Sequence, residues 1–372
     1  MPLRITGMIG VAPPAAETTV HIITGGISKE YTRDFAQAHD KAGFDWALVG
    51  YTSRAADGFG VASYCAAQTE RLGYLIAHRP GFVAPTLAAR KFATFDNFWA
   101  TDDGQPRMGL HIISGASDSE MAQDGDWSDK STRYRRAGEY VAIMRNEWSG
   151  IPFDFEGEFY KVAQGTSDVL PFQKPTPPVL FGGSSEEALE MGAEHCDIFA
   201  IFGEPRAIVA ERIADFRARC AKYERPFGKE PGFNISLRPI IAETEGKAWD
   251  KARKMLADIL EQTGGDGAPG GDSVSANRLL QAASENEIHD ERLWMAIAEA
   301  TGARGNSTCL VGTPEQVAES CLEYYKLGVE GILLRGFEPM DDALEYGKEL
   351  IPRMREGAAA IDAERSQTRA AE

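Results

Sequence analysis

Three groups of residues in this chain have types and spacings that could do chemistry: hydroxyls beside a glycine turn, histidines where apolar runs end, and arginines in similar positions. The first group lies in Val179-Leu180-Phe181-Gly182-Gly183-Ser184-Ser185. Val179-Leu180-Phe181 follows Pro177-Pro178 and reads as a short buried strand. The glycines turn the chain, and Ser184, Ser185, Glu186 and Glu187 open an amphipathic helix. Glycine lets backbone approach a ligand closely, and first-turn N–H groups have no helical partner, so a phosphate would be well received here. The same residues also describe an ordinary capped helix after a Gly-Gly turn, since serine is a favoured N-cap. The second group is His78 and His111, the third Arg238 and Arg335. Each histidine could equally be a satisfied core residue, and each arginine could sit in a structural ion pair.

Composition narrows the chemistry. The net charge of −17 opposes binding to nucleic acid or an anionic membrane, and no basic patch is visible to offset it. Five cysteines, at 65, 196, 220, 309 and 321, are odd in number, widely spaced and without a C-x-x-C pair, which argues against a disulfide framework or a zinc site. The six histidines form no metal-ligand spacing either, so no metal is expected. No apolar run reaches the length of a membrane span, and Met1-Pro2-Leu3-Arg4 does not begin a signal peptide; a cytoplasmic protein is the expectation.

The elements that must position these residues are short apolar strands alternating with helices. Strands are expected at residues 3–10, 44–51, 73–78, 108–114, 179–181, 196–202, 233–242 and 331–336, with amphipathic stretches between them. Eight such units favour a closed (β/α)8 TIM barrel over an open sheet. No G-x-G-x-x-G follows the first strand and no Walker lysine motif occurs, which weakens the doubly wound alternative. The chain reads as one barrel domain over 1–355, with insertions around 116–130, read as a polar loop, 150–176, read as holding a small hairpin at 153–160, and 263–305. A tail over 356–372 is expected to fray. Residues 263–273 hold five glycines in eleven positions and read as a mobile excursion. In a barrel, ligands sit at the C-terminal ends of strands. That rule selects 51–57, His78, 111–115, 182–185, 202–204, 236–238 and 335–338.

These residues carry a pattern. Ala77-His78-Arg79-Pro80, His111-Ile112-Ile113-Ser114-Gly115, Arg133-Tyr134, Phe181-Gly182-Gly183-Ser184-Ser185 and Phe202-Gly203-Glu204-Pro205, in this order, resemble the bacterial luciferase-like flavin monooxygenases over about residues 3–355. Within that superfamily the two-component alkanesulfonate monooxygenases look most similar. The resemblance implies reduced FMN delivered by a separate NAD(P)H-dependent flavin reductase, dioxygen as co-substrate, and a homodimer or homotetramer. It implies that Gly183, Ser184 and Ser185 hold the FMN phosphate, with Tyr134 assisting. His111 and Ser114 would lie along the isoalloxazine, with Ala77 and His78 backing the ring. Many relatives have a non-proline cis peptide at that third-strand exit. The glycine-rich segment lies where the family's flexible loop is expected.

The departures fall at the substrate end. Ser236 and Arg238 stand where the alkanesulfonate enzymes have an arginine and a histidine. Phe337 replaces a tyrosine, Phe202 a tryptophan and Ala55 a cysteine, and the lid-side arginine falls nearest Ala303, with Arg304 next to it. Arg238 and Arg335 remain to pair with a sulfonate or carboxylate, and with His111 they are the catalytic candidates. Asp57, Phe202, Arg238, Arg304 and Phe337 are the substrate-side candidates. Asp57 and Glu204 could each instead cap the helix that follows. The implied reaction is oxidation of a small organic molecule, with desulfonation of a sulfonate to an aldehyde and sulfite as its narrow form. A deazaflavin-dependent oxidoreductase and a non-catalytic flavin-binding barrel are the rival readings.

Overall fold

The computed structural model describes residues 3–371 apart from 24, 116, 226–229, 264–272 and 304. Arg4–Ile9, Trp46–Val49, Gly73–His78, Met108–Ile112, Val179–Phe181, Ile198–Phe202, Gly232–Ile241 and Gly331–Leu334 are the first to eighth strands of a closed parallel ring. Closure comes from the eighth strand, which pairs with the first (Arg4 opposite Gly331) and the seventh (Leu333 opposite Ser236). The (β/α)8 barrel predicted from the alternation is the fold.

Side chains alternate across a strand, and that alternation sorts the apolar residues into two cores. Tyr74, Ile76, Leu110, Ile112, Val179, Phe181 and Phe199 face outward and join the surrounding helices through residues such as Phe92, Tyr140 and Phe216. Trp46, Leu75, Leu180 and Ile198 form a smaller cluster inside the barrel. The Arg4 guanidinium lies 4.3 Å over the Trp46 ring. Gly73 makes room for that ring, since a Cβ there would stand 2.3 Å from it.

Local signals place several helices. Ser28 caps Lys29–Lys41 by accepting from the Tyr31 backbone N–H at 3.2 Å. Thr313 and Gln316 form a reciprocal capping box at the start of Pro314–Lys326. The hairpin expected within the 150–176 excursion pairs Phe153–Glu156 with Lys161–Gly165.

Three expectations change. The seventh strand outgrows the ring: its first half pairs with the sixth and eighth strands, and from Arg238 onward it pairs with an additional strand, Cys309–Gly312. That strand carries the antiparallel pieces Leu293–Trp294 and Ile288–His289. Two- and four-residue strands are too short to show a period, and the adjoining Gly-Thr-Pro turn hid the longest of them. Ile240, Trp294, Cys309, Val311 and Phe337 pack there as a third apolar cluster. Secondly, 116–130 is not wholly loop but contains the helix Asp118–Gln123, capped by Ser117. Thirdly, the tail does not fray from 356: a helix spans Ile351–Ala371, held where Tyr325 donates to Asp362 at 2.8 Å and Arg365 donates to the carbonyl of Tyr325 at 3.1 Å. Those partners are remote in sequence, so composition could not show them. The glycine-rich excursion falls mostly outside the described residues. Among the described residues, no helix is long and apolar enough to cross a membrane.

Candidate active site

The fifth strand delivers Gly182 and Gly183 to the start of the helix Glu186–His195, with Ser185 as its N-cap accepting from the Ala188 N–H. A Cβ on Gly182 would lie 3.0 Å from the Ala200 carbonyl oxygen, and one on Gly183 would lie 2.7 Å from the Ala188 Cβ. Any side chain at either position would push the turn off its neighbours. The Tyr134 hydroxyl engages the Ser185 side chain, and its ring meets Phe181 edge-on at 6.0 Å. Burial raises the Tyr134 pKa, so the phenol stays protonated and able to donate. The cap and the candidate anion cradle are thus the same residues, and the two readings of the sequence coexist.

Glu204, already marked by its place at the sixth-strand exit, completes this end together with Arg212, Ser275 and Arg278, which no local signal marks. Arg212, on the helix Arg206–Cys220, donates to Ser184 Oγ at 2.9 Å. Ser275, on the helix Val274–Glu285, places its hydroxyl 2.8 Å from that of Ser184. Glu204, 1% exposed, bridges Arg212 at 2.8 Å and Arg278 at 2.7 Å. Glu204 is therefore not a helix cap; it ties the sixth-strand exit to two helices. Arg212 and Arg278 fall on helix faces that periodicity describes only as polar, so no local signal could have selected them.

The barrel interior, or lumen, holds a different set. Ala77, His111 and Leu180 are in register on the third, fourth and fifth strands and face inward. His111 is open in part to the lumen, but the barrel wall encloses it, and its Nδ1 is buried without a partner. Desolvation lowers its pKa from 6.5 to about 4, so the imidazole is neutral at physiological pH. Ser114 is buried with an unpartnered Oγ, and its carbonyl accepts from Arg133 Nε at 2.7 Å. Phe202 faces the lumen opposite Ser236. At the mouth, buried Arg79 pairs with Glu120 at 2.9 Å and Asp124 at 3.2 Å, and stacks 4.6 Å over Tyr51. This lattice joins the exits of the second, third and fourth strands.

Other expected site residues lie elsewhere. His78, next to inward-facing Ala77, turns out of the barrel; its Nε2 is 2.7 Å from the Tyr140 hydroxyl and its ring packs against Phe92. It cannot back a ring in the lumen. The third-strand exit is trans, since the one cis peptide among the described residues is Lys174–Pro175. Arg238 is fully buried, and it donates to the carbonyls of Asn306 at 3.3 Å, Gly336 at 3.1 Å and Val20 at 2.6 Å, with Phe337 stacked 4.5 Å beneath it. Both residues are occupied as a structural peg where the seventh strand leaves the ring, not as substrate contacts. Asp57 caps Gly58–Ala66 by accepting from the Gly60 N–H at 2.8 Å. Arg304 lies outside the described residues.

The sequence profile described as luciferase-like monooxygenase matches residues 10–331. The chain belongs to the luciferase-like monooxygenase family. Solved structures of similar fold include DmoA from Hyphomicrobium sulfonivorans, at 19% identity, a TM-score of 0.73 and coverage of 96% of this chain and 88% of that one. EDTA monooxygenase EmoA from Chelativorans sp. BNC1 gives 16% identity, a TM-score of 0.70 and coverage of 96% and 94%. An F420-dependent secondary alcohol dehydrogenase, in complex with an F420-acetone adduct, gives 12%, 0.66, and coverage of 95% and 99%. The same barrel fold is therefore found both in a protein named as a monooxygenase and in one named as F420-dependent. The narrower likeness to alkanesulfonate monooxygenases has no counterpart among these findings.

Proposed function

We propose that this chain is the oxygenase of a two-component system: it takes reduced FMN from a separate NAD(P)H-dependent reductase and uses dioxygen to oxidise a small organic substrate. The observation that carries this reading is the pairing of an anion cradle at the fifth-strand exit with unpartnered polar atoms in the adjoining lumen. The donors fit a phosphorylated flavin. Ser184, Ser185, Tyr134 and the free N–H groups of Glu186–His195 would hold the phosphate, with Arg212 as the nearby cation. The orphaned Ser114 Oγ and His111 Nδ1 supply a hydroxyl and a neutral imidazole that can hydrogen-bond the ring system. When bound, reduced FMN supplies the electrons that activate dioxygen. His111 does not act as a resident cation, because burial keeps it neutral. The ion-paired mouth around Arg79 would limit water, which an oxygenase must keep from its reactive centre.

Anaerobic titration with FMN, reduced FMN and the deazaflavin tests this directly. Tightest binding of reduced FMN, followed by substrate-dependent oxygen uptake when a reductase is supplied, is the expected result. Preference for the deazaflavin would move the chain to the hydride-transferring branch that the F420-dependent structures represent. Flavin binding without oxygen-dependent product from any substrate would leave a non-catalytic barrel. Desulfonation is the narrow version of the proposal, and release of sulfite from an alkanesulfonate is its test. We also propose a cytoplasmic homodimer or homotetramer, which light scattering of the purified protein would check.

A further inference from the structure

We propose that Arg335 is the receptor for an anionic headgroup, a carboxylate or a sulfonate, on the organic substrate. The assignment rests on reading the lumen as an oxygenase site. Arg335 follows the eighth strand on the same face as Leu333, which alternation directs inward. Its backbone N–H is fixed to the Leu237 carbonyl at 3.3 Å. Among the described residues its side chain is barely engaged: Nε is buried without a partner, and Nη1 meets the Met8 sulfur, a weak acceptor, at 3.4 Å.

The contrast with other buried or partly buried arginines makes this informative, since Arg335 is itself partly buried with its Nε enclosed. Arg79, Arg133, Arg145 and Arg212 each reach a carboxylate within 3.0 Å. Arg238 is caged by carbonyls. Among the described residues Arg335 has neither, in a chain with 56 acidic and 39 basic residues where a carboxylate partner would be easy to supply. A buried charge is tolerated when something pairs it, and a planar guanidinium favours carboxylate and sulfonate oxygens. Burial, then the like charge of Arg238, holds the Arg335 pKa well below its ordinary value, and an anion would relieve both effects. The phosphate cradle is not that anion's site: it belongs to the fifth-strand exit, across the ring from the eighth strand.

The test uses the purified full-length protein, with and without FMN, and three probes: hexanoate, 1-hexanesulfonate and 1-hexanol. Calorimetry should show the two anions bound in preference to the alcohol. Arg335→Met should weaken anion binding by about 100-fold or more, the scale for truncating one side of a buried charge pair. Arg335→Lys, which keeps the charge but loses the fork, should weaken it by roughly 10-fold. FMN affinity should stay within about twofold in both variants. Without ligand, Arg335→Met should be at least as stable to urea as the wild type, because it removes an unpaired charge at similar volume. Equal binding of anions and alcohol, unchanged anion binding in Arg335→Met, or a less stable ligand-free Arg335→Met would overturn the proposal. So would a parallel loss of FMN affinity, which would assign Arg335 to the flavin. Anion binding through Arg335 without reduced-FMN binding or oxygen uptake would instead sink the oxygenase reading and leave this one standing.

Discussion

The two ends of the candidate site are built on opposite rules. At the fifth-strand exit the polar side chains have protein partners: Ser185 caps a helix, Ser184 meets Arg212 and Ser275, and Glu204 joins two arginines. Among the described residues, His111 Nδ1 and Arg335 Nε on the lumen side and Ser114 Oγ just past the fourth strand have none. Buried polar atoms are nearly always paired, so orphans on the lumen side are where a ligand could complete the structure. A fully partnered cradle can hold its shape before a ligand arrives, at the cost of exchanging some of those bonds on binding. Preorganisation would suit the proposed capture of reduced FMN from a reductase. Orphaned donors suit a ring and a substrate that supply the missing partners.

The largest effect should come from the arginine that looks like a site residue and is not. Arg238→Met would strip the donors from three buried carbonyls, those of Val20, Asn306 and Gly336. A cost of about 3–4 kcal/mol is expected from such losses, read as a lower urea midpoint at unchanged slope. Arg335, on the neighbouring strand, should show no such cost when changed to Met. If both variants lose stability equally, the distinction between a peg and a receptor fails.

The next effect addresses the cradle. Ser185→Asp retains a good N-cap, since aspartate caps as well as serine, but sets a negative charge against the phosphate. The expected outcome is about 100-fold weaker FMN binding, or roughly 2–3 kcal/mol, with little change in urea stability. Riboflavin, which lacks the phosphate, should lose much less. Equal losses for the two flavins would place the phosphate elsewhere.

How much of this was legible in the residues differs between the ends for a physical reason. Strand, turn and cap signals are local, so the barrel, the place of Val179–Phe181 as the fifth strand and the hydroxyls after it could be read in order. Alternation could also have separated Ala77 from His78, since neighbours on one strand face opposite ways; the pattern of an adjacent pair at a strand exit concealed that. What sequence could not supply was contact between remote segments. Arg238 resembles Arg335 in type and in position at a strand end, yet three carbonyls from loops 68, 98 and 218 residues away decide its role. Arg212, Ser275 and Arg278 reach the cradle from helix faces with no local mark. The satellite strand Cys309–Gly312 was missed because four residues show no period.

A third prediction follows from the lumen alone, since serines do not titrate near neutrality and His111 does. Unfolded, His111 takes up a proton as pH falls through about 6.5; folded, it stays neutral until about 4. The folded state then binds fewer protons in that window, so its stability falls as pH drops from 6.5 towards 4 and the loss stops below 4. His111→Asn should flatten the slope of stability against pH by up to one proton, about 1.4 kcal/mol per pH unit. An unchanged slope would mean that His111 titrates normally and is open to bulk water.

The smallest effect separates holding from shaping at the cradle. Tyr134 touches Ser185 through its hydroxyl and Phe181 through its ring, so Tyr134→Phe removes only the first contact. If the hydroxyl donates to the phosphate, FMN affinity should fall by roughly 3- to 10-fold, the scale of one hydrogen bond to a charged acceptor in a partly wet site. Riboflavin affinity should stay the same. If the hydroxyl serves only to orient Ser185, the two flavins should weaken together, because the serine would be displaced for both. The same measurement with Ser184→Ala provides the comparison: Ser184 is held by Arg212 and Ser275 as well, so its removal frees a cation and a hydroxyl that can turn to the phosphate. Ser184→Ala should therefore cost less than Tyr134→Phe, and the reverse order would show that the cradle's internal bonds, not its donors, carry the affinity.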